Sequence, residues 1–80
     1  MSPEDLKKIL EEDPFQPFRI HLTNGRTYDV RNPSLVMVGR RTAIVGLVAA
    51  DAPSPFYDRW DTVALLHITN IEPLTVPRAS

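Results

Sequence analysis

His21 and His67 are the only histidines of this 80-residue chain, and there is no cysteine. Two imidazoles with a carboxylate can hold a metal, and two neighbouring carboxylates such as Asp58 and Asp61 can share acid–base work. Neither arrangement is supported by spacing. The histidines lie far apart, and Asp58 and Asp61 read as loop residues. Ser2, Ser34, Ser54 and Ser80 fall in caps, loops or the tail, without the strand–turn–helix context that activates a serine. The three glycines are isolated, so no glycine-rich loop cradles a phosphate. The expectation is a non-enzymatic protein with no cofactor and no metal.

What remains is binding chemistry. Arg40 and Arg41 sit together at a turn, with Arg26 and Arg31 near another, and guanidinium groups pair bidentately with phosphate or carboxylate. Phe56, Tyr57 and Trp60 hold half of the six aromatic residues, and aromatic rings make stacking platforms for bases or partner side chains. Each feature also has a plainer reading: solvated turn charges, and rings that cap one end of a core. His21 reads as an exposed residue on a strand face, and His67 as a hydrogen-bonding residue at a strand end. The candidate contacts for a ligand or RNA are therefore Arg40, Arg41, Tyr57, Trp60 and His67.

The charge distribution limits how far a nucleic-acid reading can go. The net charge is -1. Residues 1–13 carry five carboxylates against two lysines, and residues 14–80 carry seven arginines against five carboxylates. The body is mildly basic, well short of the footprint of a dedicated nucleic-acid binder. The acidic start, Met1-Ser2-Pro3-Glu4-Asp5, is unlike a signal peptide. The longest strongly apolar run, Ala43 to Ala50, is 8 residues, whereas a membrane-spanning helix needs about 20. A cytoplasmic protein with no membrane partner is expected.

The elements that position these side chains start with a helix over residues 3–12. Ser2 caps it, Pro3 takes the first helical position, and Leu6, Ile9 and Leu10 form a narrow apolar stripe. Glu11, Glu12 and Asp13 oppose the dipole at its far end, and Pro14 stops it. Pro14-Phe15-Gln16-Pro17-Phe18 is a stiff elbow whose phenylalanines can anchor in the core. Phe18, Ile20 and Leu22 then alternate with Arg19, His21 and Thr23 as a half-buried strand.

Parity decides the turn that follows. A two-residue Asn24-Gly25 loop would put Tyr28 and Val30 on the face opposite Phe18, Ile20 and Leu22. A three-residue loop, Thr23-Asn24-Gly25, pairs Leu22 with Arg26, Ile20 with Tyr28 and Phe18 with Val30, and so gathers the apolar set on one face. The expected turn is type I with a G1 bulge and Gly25 at positive φ.

Asn32-Pro33-Ser34 ends the second strand. Residues 35–38 and 43–48 read as a third and a fourth strand around the Gly39-Arg40-Arg41-Thr42 turn. Both are apolar at nearly every position, as in strands buried on two faces. One helix cannot cover a whole second face, so a subunit interface is expected to cover the rest. Residues 49–55 form an aperiodic loop, 62–66 a fifth strand, 67–70 a single turn and 71–74 a short closing strand. One helix followed by five or six short strands makes the fold class mostly β with an N-terminal helix. The architecture expected is a small antiparallel barrel over residues 15–74 in a single domain of 1–80, with a frayed tail at 75–80.

The stretch Pro14-Phe15-Gln16-Pro17-Phe18-Arg19-Ile20-His21-Leu22-Thr23-Asn24-Gly25-Arg26 resembles a group of short bacterial proteins with the pattern PF-x-PF-x-I-x-L-x-[DN]-G-R and a closing I-x-x-I, which carries no known activity. More distantly, Pro17 to Gly25 resembles the first hairpin of the Hfq and Sm-like family. His67-Ile68-Thr69-Asn70-Ile71-Glu72-Pro73 is similar to the His-containing closing segment of that family, with a one-residue difference in length. This resemblance implies a small SH3-like barrel and puts His67 forward as an RNA contact. The chain departs from it at Leu66, where the family has a basic residue. It departs again at Tyr28-Asp29-Val30, which lacks the glycine that bends Sm strands, and in the extra loop from Ala49 to Trp60. The leading expectation is a binding or assembly module that meets a protein partner or builds a homo-oligomer. The alternative is an Sm-like RNA binder.

Overall fold

The helix and the first hairpin arise from local signals. In a computed structural model that describes residues 1–48 and 58–74, helix α1 spans Pro3–Leu10. The Ser2 hydroxyl accepts from the Asp5 amide at 3.1 Å, satisfying one of the amides that a helix start leaves unpaired. The helix stops at Leu10 rather than residue 12, as the acidic cluster at the negative end of its dipole favours. Leu6 is fully buried, and Ile9 and Leu10 pack against the same core. Phe15 and Phe18 meet at a ring-centroid distance of 5.9 Å, anchoring the proline elbow.

Strands β1 (Phe18–Leu22) and β2 (Thr27–Val30) pair with Phe18 opposite Val30 and Ile20 opposite Tyr28. The loop closes through Leu22 N to Arg26 O and Gly25 N to Leu22 O, both at 3.0 Å. Gly25 has φ +88°, and Asn24 Oδ1 accepts from the Arg26 amide at 2.9 Å. This is the register and the bulged turn that parity requires.

The remaining strands are β3 (Val36–Val38), β4 (Thr42–Leu47), β5 (Arg59–Ala64) and β6 (Ile68–Pro73). No closed barrel is found among the described residues. The described strands make two three-stranded antiparallel sheets, ordered β2-β1-β6 and β3-β4-β5. The break between β2 and β3 has a local cause. Asn32 Oδ1 accepts from the Ser34 amide at 3.0 Å and the Ser34 hydroxyl at 2.8 Å, capping a 3-10 turn at Pro33–Leu35. Pro33 has no amide to continue a ladder. A second 3-10 turn, Leu65–His67, separates β5 from β6.

The boundaries shift accordingly. The fifth strand starts at Arg59, so Trp60 and Asp61 are strand residues rather than loop residues. The closing strand starts at Ile68, where a single turn was expected, and pairs with β1, Ile20 opposite Ile71 and Leu22 opposite Ile68. The core lies between the sheets and under α1. Leu6 of α1 and Phe18, Ile20, Tyr28, Val30 and Ile68 of the first sheet pack with Val36, Ala43, Val45 and Val63 of the second and with Leu65 of the turn that follows β5. Burying these side chains contributes roughly 1.5–3 kcal/mol for each large one. The expected loop of 49–55 and the tail of 75–80 lie outside the described residues. No described helix is long and apolar enough to cross a membrane.

Candidate docking face

Alternation along three paired strands sorts the second sheet into two faces. Val36, Ala43, Val45 and Val63 point into the core. The cross-strand partners Met37–Ile44–Thr62, Gly46–Trp60 and Thr42–Ala64 therefore share the outer face. No residue in that set carries a charge. Met37 is 68% exposed, Trp60 58% and Ile44 37%. Met37, Ile44, Gly46 and Trp60, with Ser34 and Leu35, line a groove of ≈ 270 Å³. Among the described residues, one face of β3 and β4 is buried in the core and the other exposes Met37 and Ile44.

The first sheet shows the contrasting solution. Its outer face is a charge ladder running across β2, β1 and β6. Arg19 Nε donates to Asp29 Oδ1 at 2.6 Å and Arg19 NH2 to Oδ2 at 3.2 Å. Glu72 lies 3.9 Å from the Arg19 guanidinium and 2.8 Å from His21 Nε2, and Arg31 approaches Asp29 at 3.8 Å. The hydrogen bond from Arg19 holds the Asp29 carboxyl below its ordinary range against the opposing effect of burial, and the Arg19 charge adds a smaller lowering effect. The same pair raises the Arg19 guanidinium. Charged pairs of this kind suit a water-facing sheet. One outer face carries paired charges, and the other, among the described residues, exposes Met37, Ile44 and Trp60 beside two threonines and no charge.

Between the two sheets, Tyr28 is buried and its hydroxyl donates to Asp61 Oδ2 at 2.7 Å. Burial first, and the Asp61 carboxylate second, raise the Tyr28 phenol above its ordinary value. Asp61 thus serves as a strand acceptor for a core tyrosine.

The sequence candidates divide between two places. Arg40 and Arg41 are exposed at the β3–β4 tip. The Arg41 carbonyl accepts from the Leu65 amide at 2.8 Å, and the His67 carbonyl accepts from the Thr23 amide at 2.9 Å. The arginine tip, the Leu65–His67 turn and the β1–β2 turn are therefore stitched along one end of the molecule, with His67 exposed. Trp60 is elsewhere, opposite Gly46, four residues along β5 from the Ala64–Thr42 pair, which is roughly 13 Å in an extended strand. Tyr57 lies outside the described residues. The structure brings Arg40, Arg41 and His67 to one end and does not bring Trp60 to them.

Two features were not assigned from sequence. Met37 and Ile44 belong to a run that is apolar at nearly every position, so no parity marks them as outward. The Arg19–Asp29–Glu72–His21 ladder depends on pairing across 51 residues, which no local pattern encodes. Among the described residues no group of three or more His, Asp or Glu side chains is placed to hold a metal ion. No family model, no curated protein and no solved structure matches this chain.

Proposed function

We propose that the chain is a non-enzymatic binding and assembly module whose working surface is the outer face of the β3-β4-β5 sheet, and that the surface it meets is that of a protein. The observation that supports this reading is the charge-free outer face carrying Met37, Ile44 and Trp60 into solvent. Contiguous exposed apolar patches mark interaction sites more often than isolated apolar residues do. Covering these side chains removes roughly 300–400 Å² of apolar area from water, worth on the order of 8–10 kcal/mol before the costs of association. Those costs are about 4–15 kcal/mol, so the contact is a reversible one. The test compares the wild type with Ile44→Glu as bait. The wild type is expected to carry a protein, itself or another, that the variant loses. Equal recovery by both sinks the reading.

A second reading is an Sm-like RNA binder that uses the Arg40, Arg41 and His67 end. The contact between Arg41 and Leu65, two residues from an exposed His67, favours it. The distance to Trp60 and the near-neutral charge weigh against it. Phosphate-driven binding weakens steeply with salt. A gel-shift series with single-stranded RNA that shows no shift at low salt would remove this reading, and loss of a shift in Arg41→Ala would keep it.

A further inference from the structure

We propose that Asn24 is a self-modification site that the β1–β2 turn keeps unreacted. The Gly25 nitrogen converts the Asn24 side-chain amide to a carboxylate when the turn opens, and the closed turn prevents it.

The chemistry needs an asparagine followed by an unhindered backbone amide, and sequence context singles out one residue. The chain has three asparagines. Asn32 precedes Pro33, whose nitrogen has no proton to lose. Asn70 precedes Ile71, whose branched Cβ crowds its own nitrogen, and lies within β6, paired with His21. Asn24 precedes Gly25, which has no Cβ, and the space where one would stand is empty to 4 Å. Thr23, Asn24, Gly25 and Arg26 are all exposed, so water and hydroxide reach the site.

The step balances without an oxidant or a reductant. Hydroxide takes the Gly25 amide proton, and the nitrogen attacks Cγ of Asn24. The new bond is Gly25 N to Cγ. The bond from Cγ to the side-chain nitrogen breaks, and ammonia leaves. The cyclic imide then takes up one water. Opening at one carbonyl gives aspartate. Opening at the other gives isoaspartate, in which the main chain runs through Cβ and Cγ. Either product adds one negative charge.

The closed turn engages both reacting groups. Gly25 N donates to Leu22 O at 3.0 Å, and Asn24 Oδ1 accepts from Arg26 N at 2.9 Å. The Gly25 proton is thus held against a carbonyl, and the Asn24 carbonyl is turned to the amide beyond Gly25. Attack requires both bonds to break, and the Leu22 N to Arg26 O bond at 3.0 Å closes the loop around them. Losing two hydrogen bonds slows the reaction at least about tenfold relative to an open turn.

The two products fit the turn differently. Aspartate keeps an oxygen where the Arg26 amide needs its acceptor. Isoaspartate lengthens the main chain inside a loop whose length sets the pairing of Phe18 with Val30 and Ile20 with Tyr28. The isoaspartyl chain therefore no longer closes the hairpin in register. Modification marks chains that have opened, and in its isoaspartyl form it keeps them from closing again.

The test incubates the full chain in mildly alkaline buffer made with water labelled with heavy oxygen, native in one arm and in denaturing urea in the other. Circular dichroism verifies the state of each arm, and peptide mass mapping locates the incorporated label. Conversion is expected at Asn24 before Asn32 and Asn70, at least about tenfold faster in urea. Equal rates in the two arms overturn the protection by the turn. Absence of conversion at Asn24 in urea, or earlier conversion at Asn32 or Asn70, overturns the site. The isoaspartyl protein, separated by chromatography, is expected to melt below the wild type, and Asn24→Asp close to it. An isoaspartyl form that melts with the wild type overturns the effect on the hairpin.

Discussion

The Tyr28 hydroxyl donates a 2.7 Å hydrogen bond to Oδ2 of Asp61, tying β2 in one sheet to β5 in the other. The residues are 33 positions apart, and no strand ladder joins the two sheets among the described residues. This side-chain contact therefore bridges a gap that backbone pairing leaves open. It also accounts for an aspartate within a strand, where aspartate is otherwise disfavoured.

Tyr28→Phe keeps the ring and removes the donor. A hydrogen bond to a charged acceptor is worth about 1.5–3 kcal/mol, and a partly solvated Asp61 recovers some of that from water. The expected loss is about 1–2 kcal/mol by urea unfolding. The pH dependence has a definite sign. The Tyr28 phenol is raised above its ordinary value of 10.0 by burial and by Asp61. The stability linked to it is fully present below pH 10 and is lost as pH rises through the folded value. Thermal melts should show an alkaline loss in the wild type that Tyr28→Phe lacks; matching alkaline slopes would count against the assignment.

Asp29 gives the opposite sign at the acid end. Arg19 lowers its carboxyl below the ordinary 3.8. Its contribution is present above that value and is lost as pH falls through the lower folded one. Because both partners are about a third exposed, the effect is small and screened by salt. Asp29→Asn should flatten the acid limb of a pH–stability curve at low ionic strength, and added salt should shrink the difference from the wild type.

Gly25 isolates a backbone effect. Its φ is +88°, and a Cβ built there meets nothing within 4 Å. Any cost of substitution is conformational, about 1–2 kcal/mol for an ordinary residue and more for a β-branched one. Gly25→Val is expected to lower the melting temperature clearly, and Gly25→Asn much less. Equal melting of all three proteins would mean that the turn is not held at positive φ.

The two faces of the second sheet should respond differently to truncation. Val45 is 1% exposed and Met37 68%. Val45→Ala should cost about 2 kcal/mol through lost burial and the cavity it leaves. Met37→Ala should change monomer stability by no more than about 0.5 kcal/mol. Denaturant titrations at low protein concentration separate the two, and a comparable cost at Met37 would show that its face is covered within the chain.

What the residues determine alone is local. Ser2 and Pro3 start the helix, the acidic run and Pro14 end it, and the parity of Phe18, Ile20 and Leu22 against Tyr28 and Val30 dictates the bulged turn at Gly25. In these segments the hydrogen-bonded or same-face partners are a few residues apart, so spacing carries the information. The tertiary structure decided the rest. β6 lies beside β1 because their ladder joins segments tens of residues apart, and that pairing assembled Arg19, Asp29, Glu72 and His21 into one charged face. It also chose which side of β3 and β4 is core. A run that is apolar at nearly every position has no parity to read, and only the packing of Val36, Ala43 and Val45 against the first sheet leaves Met37 and Ile44 facing out.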